Sequence, residues 1–230
     1  MQFASRFALS AIALAAGLFS LTGARAVSLT EPVSPANFAD TTLGGTTSAA
    51  RPELAGTVLE DVLTPFSFSG VSGTVQNRVV RETGSGTLDF YWKVNVDAST
   101  NGVGVSAFRL ADFGYGNIKD ADWRIDGLGT PAPNAARLFN ASSYPTGDVN
   151  FLFDSGINPG SQSRFFFLHT GATAYDSTAK FDLLTTGAQQ LSGVYQTFAP
   201  SVPEPSTWSL MLAGMLGVGG VLCRRIKPQA

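Results

Sequence analysis

Apolar and polar positions alternate with period two through most of this chain. The clearest stretch is 86–97, where Leu88, Phe90, Trp92, Val94 and Val96 share one face and Asp89, Tyr91, Lys93, Asn95 and Asp97 the other. That pattern predicts a strand with one side in a core and one in water. Shorter runs with strand character recur at 58–63, 66–68, 71–81, 103–113, 123–125, 149–153, 164–169, 180–184 and 194–198. Turn residues separate most of them, among them Thr83-Gly84-Ser85-Gly86, Ser99-Thr100-Asn101-Gly102 and Asn158-Pro159-Gly160-Ser161. No convincing helical stretch falls between 27 and 200. The expected body, residues 52–200, is all-β, an antiparallel β-sandwich with Greek-key or jelly-roll connections.

Three stretches depart from alternation. Arg164-Phe165-Phe166-Phe167-Leu168-His169 is apolar on both faces, as expected of a central strand covered on two sides or of one whose outer face meets a partner. Residues 127–147, with Pro131, Pro133 and Pro145, read as a long loop of the kind that carries binding. Residues 27–51 are rich in Thr, Ser and Gly with few bulky apolar groups, and read as a loosely structured arm or an edge strand.

Both ends are apolar in a different way. Residues 7–21 form an uncharged run after a basic start, and Ala24 and Ala26 stand where a signal peptidase reads. Residues 1–26 are therefore expected to be a secretory signal helix cut after Ala26. At the other end, Pro203-Glu204-Pro205 precedes an uncharged stretch, 208–223, and then Arg224-Arg225. The two prolines fix the local backbone and withhold donors, which keeps the tripeptide extended and accessible. As a helix, 208–223 is about 24 Å long, slightly short of a bilayer core, with snorkelling arginines making up the length. The basic residues stay cytoplasmic by the positive-inside rule and leave the body outside, anchored by a single C-terminal transmembrane helix.

Composition narrows the chemistry. Only 14% of residues are charged, against 25 Gly and 17 Phe. The one cysteine, Cys223, lies in the C-terminal apolar run, so no intrachain disulfide forms. Over 27–202, 10 Lys/Arg stand against 16 Asp/Glu, a net charge of −6 with no basic cluster; nucleic acid is not an expected partner. The one histidine, His169, ends an apolar strand without a nucleophile motif nearby, and reads as a hydrogen-bonded residue at a sheet edge. With one His and one Cys, a structural zinc site of the usual kind is not expected. Asp120, Asp122 and Asp126 fall in one turn-like segment beside Lys119 and Arg124, as a solvated acidic loop or a calcium site would. Arg124 stands where an EF-hand loop needs an oxygen. Tyr91, Tyr115, Trp123 and Tyr144 fall on a polar strand face or in loops, where flat rings stack on sugars or simply pack. No catalytic residue, resident cofactor or metal is assigned.

In Pro203-Glu204-Pro205, the apolar stretch 208–223 and Arg224-Arg225, the last 30 residues (201–230) resemble the PEP-CTERM sorting signal of Gram-negative bacteria. That resemblance implies export by the Sec machinery and signal peptidase, transient anchoring in the inner membrane, and cleavage near Pro-Glu-Pro by an exosortase. Release then follows to the cell surface or the exopolysaccharide matrix. In this reading Pro203, Glu204 and Pro205 are substrate residues. Two roles remain for the body: a non-enzymatic structural or adhesive protein of surface, matrix or biofilm, or a secreted carbohydrate-binding module or glycosidase using acids such as Asp120, Asp122 or Asp126. A permanently anchored membrane protein shares the same topology.

Overall fold

A computed structural model describes residues 27–29, 39–99, 101–114, 118–139 and 148–201. The expected signal segment, with Ala24 and Ala26, and the whole C-terminal tail from 202 onward lie outside the described residues. Among the described residues no helix is long and apolar enough to cross a membrane.

Among the described residues eleven strands run β1 (Asp40–Thr42), β2 (Gly56–Phe68), β3 (Val71–Glu82), β4 (Leu88–Val96), β5 (Val105–Ala111), β6 (Ile118–Trp123), β7 (Ala135–Phe139), β8 (Asp148–Ile157), β9 (Phe166–Thr170), β10 (Tyr175–Thr185) and β11 (Tyr195–Pro200). A 3₁₀ turn, Pro52–Leu54, precedes β2. They form two antiparallel sheets, one ordered β1-β7-β8-β5-β10-β11 and the other β2-β3-β4-β9-β6. The pairs β4·β9 and β5·β8 are nested. Two consecutive strands thus pair in reverse order with two later ones, and the chain passes between the sheets as a ribbon.

The alternation in β4 explains how the sheets meet. Trp92 projects from β4 into the core, its ring 5.5 Å from Phe108 of β5, 6.3 Å from Phe151 of β8 and 6.2 Å from Phe166 of β9. These rings belong to both sheets, so the inner faces share one core, and burial of so much aromatic surface is the main force holding them together. The indole N–H of Trp92 donates to Thr197 Oγ1 at 2.8 Å, and that hydroxyl donates to Asn77 Oδ1 at 2.9 Å. This chain ties β4, β11 and β3 across the core without leaving the indole unsatisfied.

Four sequence expectations are corrected here. Asp120 and Asp122 lie within β6 rather than in a turn-like acidic loop. The stretch 127–147 contains β7. His169 is not at a sheet edge, because β9 lies between β4 and β6. Finally, the packed body starts before residue 52: of the two readings of 27–51 the edge strand is the one present, β1 pairing with β7, and Leu43 is buried in the core. The apolar stretch around Phe167 is the covered central strand, every residue of β9 being buried.

Candidate functional site

The outer face of the five-stranded sheet concentrates the unusual chemistry. Strand register aligns Val80, Asp89, His169 and Asp120 in one transverse row, and Arg78, Tyr91, Phe167 and Asp122 in the next. Part of this face is covered by the 3₁₀ turn, whose Leu54 packs with Val80, Tyr91 and Phe167.

Arg51, only 3% exposed, reaches the row from above. Its guanidinium donates to both carboxylate oxygens of Asp120, at 2.8 and 3.2 Å, and to Glu53 at 2.9 Å. It also lies 5.7 Å from the Phe167 ring centroid. Burial opposes its charge, but Asp120 and Glu53 together hold the guanidinium above its ordinary pKa.

Beside this pair is a second buried group. His169 Nδ1 lies 2.8 Å from Asp89 Oδ1 and 3.0 Å from Glu82 Oε1. The other oxygen of Glu82 accepts from the hydroxyls of Ser85 and Thr87. Glu82 Oε1 and Asp89 Oδ2 are buried and receive no hydrogen bond. Burial pushes the Asp89 carboxyl up to about 6 against the pull of His169, with Glu82 and Asp120 adding to the rise. For His169 burial lowers the pKa, but the hydrogen bond and charge of Asp89, then Asp120 and Glu82, raise it above its usual value. Glu82, Asp89 and His169 each present a donor atom within 4.8 Å of the others.

Beside that cover, and lined in part by the same Leu54, Val80 and Tyr91, is a groove of about 670 Å³. Val58, Arg78, Lys93, Arg124, Leu128 and Phe165 contribute to its lining. The Arg78 guanidinium lies 4.6 Å and the Lys93 ammonium 5.0 Å from the Phe165 ring centroid, within cation–π reach. Arg78 is paired with Asp61 at 2.7 Å, and Arg124 makes a two-pronged contact to Asp126 at 2.8 and 2.9 Å. Among the described residues Lys93 makes no direct ion pair; burial and then the neighbouring Arg78 lower its pKa, against the charge of Asp61, which raises it.

The candidates from sequence are dispersed by this geometry. Asp120 is committed to Arg51. Asp122, 1% exposed, accepts from the backbone N–H groups of Gly45 at 2.8 Å and Trp123 at 2.9 Å. Asp126 holds Arg124 and accepts from the hydroxyl and N–H of Ser48 at 2.6 and 2.8 Å, and these contacts keep its carboxyl well below the usual range. The three acids therefore do not converge on a calcium ion. Tyr91 is not an exposed platform: it is 4% exposed and packs against Phe167 at 5.0 Å and Phe165 at 6.3 Å. Trp123 is half-buried, with Gly45 against its ring and Arg164 at 5.5 Å from it, so it is not a free stacking surface either. Tyr115 and Tyr144 lie outside the described residues, as do Pro203, Glu204, Pro205, Arg224 and Arg225. The buried cluster joins the candidate Asp120, and His169, to Arg51, Glu82 and Asp89, and the groove sets Lys93 beside Phe165; these last five residues were not candidates by sequence. The one available signal was Asp89, an acid on the outer face of the best-patterned strand.

Two antiparallel sheets around one aromatic core, carrying a groove and a buried polar cluster on one outer face, define the class of the described body. The chain also carries a PEP-CTERM protein-sorting motif, whose family model matches residues 201–226. That motif marks exported proteins that an exosortase sorts to the surface. Comparison of the chain with curated proteins and with solved structures finds no match.

Proposed function

We propose that this is an exported protein released by an exosortase to the cell surface or exopolysaccharide matrix, where its β domain acts structurally and adhesively without catalysis of its own. The observation that carries the reading is the sorting motif at 201–226. In this account the Sec machinery and signal peptidase remove residues 1–26. The stretch 208–223 then holds the chain transiently in the inner membrane, and cleavage at Pro203-Glu204-Pro205 frees a sandwich of jelly-roll type.

The groove favours the sugar-binding version of this role over the hydrolytic one. Phe165 supplies an apolar ring and Lys93 a cation without an ion-pair partner among the described residues, which together suit an acidic polysaccharide. A glycosidase needs one carboxyl free to protonate the leaving group and a second free to attack the sugar or activate a water, whereas Asp120 and Asp122 are buried and committed to Arg51 and to backbone N–H groups.

The test is the intact mass of the protein from the extracellular fraction of its native host, with and without the exosortase. A product running from Val27 to within Pro203-Glu204-Pro205, absent from the deletion strain, is the expected result. A product that retains the tail in both strains would overturn the sorting reading and leave a permanently anchored protein.

A further inference from the structure

We propose that Glu82, Asp89 and His169 form a binding site for a divalent first-row metal ion, zinc in the first place. The inference is independent of how the chain is sorted. Its three donors come from three adjacent strands: the last residue of β3, the second of β4 and the fourth of β9. No local sequence spacing announces such a site.

The geometry is that of groups gathered around one point. Nδ1 of His169 faces Asp89 Oδ1 at 2.8 Å and Glu82 Oε1 at 3.0 Å, and all three donor atoms lie within 4.8 Å of one another. A single imidazole nitrogen carries at most one proton, so it satisfies one of these oxygens and not both. Glu82 and Asp89 are 3% and 0% exposed, and Glu82 Oε1 and Asp89 Oδ2 receive no hydrogen bond. Buried carboxylate oxygens left in this state are costly unless a cation joins them. The nearby Arg51 directs its three side-chain bonds to Asp120 and Glu53 and makes none to Glu82 or Asp89.

The surroundings support the same conclusion. The far oxygen of Glu82 is held by the Ser85 and Thr87 hydroxyls from the β3–β4 turn, the kind of outer support that orients a ligating carboxylate. One imidazole nitrogen with two carboxylates suits zinc, with manganese next; calcium prefers six or more oxygens and would reject the imidazole. Asp89 Oδ2 or a water completes the coordination. Such an ion would clamp β3, β4 and β9 on the side of the sheet away from the main core.

The experiment uses untagged full-length protein, purified without chelator, incubated with zinc, manganese or calcium chloride and then freed of unbound ion. Mass spectrometry of the elements should find one zinc per chain, and zinc at a hundredfold excess over Kd should raise Tm by about 5–10 °C, reversed by EDTA. The Glu82→Gln and His169→Gln variants should each lose both the metal and the shift. A wild-type protein that retains no ion and whose Tm moves by less than about 1 °C would overturn the proposal. Retention of one equivalent by both variants would overturn it too. Should a variant fail to fold, cobalt substitution of the wild type decides. Visible d–d absorption that bleaches on adding zinc supports the site, and a colourless protein refutes it.

Discussion

Arg51 is the residue on which the buried charge of Asp120 depends. Its two-pronged contact holds Asp120, 4% exposed, in a place where a lone carboxylate is strongly disfavoured. Arg51→Met keeps most of the apolar stem against Phe167 but strands the acid, and should cost about 3–5 kcal/mol. A urea midpoint measured at unchanged m-value checks this. Adding Asp120→Asn to Arg51→Met should recover part of the loss, since an amide is easier to bury than an unpaired charge. A single variant within 1 kcal/mol of wild type would mean that Asp120 does not depend on Arg51, and the account of the row would fail.

The element that matters most is the segment from β1 to the 3₁₀ turn. It begins on the edge of the six-stranded sheet, buries Leu43, bonds along β6 through Thr46, and ends with Arg51 over the other sheet. Thr46 N–H donates to the Trp123 carbonyl at 2.8 Å and its own carbonyl accepts from Ile125 N–H at 2.7 Å. Gly45 makes this path feasible, with φ of +76° and its α-carbon so close to Trp123 that an added Cβ would lie 2.5 Å from the ring. Gly45→Ala should therefore lose about 2–4 kcal/mol, from the left-handed backbone and the overpacked ring. Gly84→Ala, where a Cβ would meet nothing within 4 Å, should stay within about 1 kcal/mol of wild type. Chemical denaturation of the pair separates the two cases, and equal losses would sink the argument. This segment also shows where sequence reading stops. Alternation exposed β4 because its core residues repeat every second position, and the doubly apolar β9 was legible as a covered strand. The Lys-Asp-Ala-Asp of β6 looks solvated, because what buries its acids is a Thr- and Gly-rich stretch about 70 residues earlier. The facing of Asp89 and His169 depends on a register set between strands 80 residues apart, which no local pattern encodes.

For the whole molecule, charge distribution decides what the surface can hold. A body with net charge −6 over 27–202 repels a polyanion at long range, within a Debye length of about 8 Å in physiological salt. Contact with an acidic polysaccharide must then come from a local exception, and the groove beside Phe165 provides one. Arg78 and Arg124 are already paired with Asp61 and Asp126, so Lys93 carries most of the available attraction. One such cation over a ring makes a weak site, and tight attachment would come from many copies along one polymer. Lys93→Glu should accordingly weaken co-sedimentation of the secreted protein with a uronate-rich exopolysaccharide by about tenfold, the equivalent of roughly 1.4 kcal/mol. Binding of the wild type should also fall as salt is raised, because an exposed charge contact is screened. A neutral glucan should be bound no better by wild type than by the variant. If wild type and Lys93→Glu sediment equally with the acidic polymer, the groove is not the adhesive surface, and the matrix role would have to rest on the sorting signal alone.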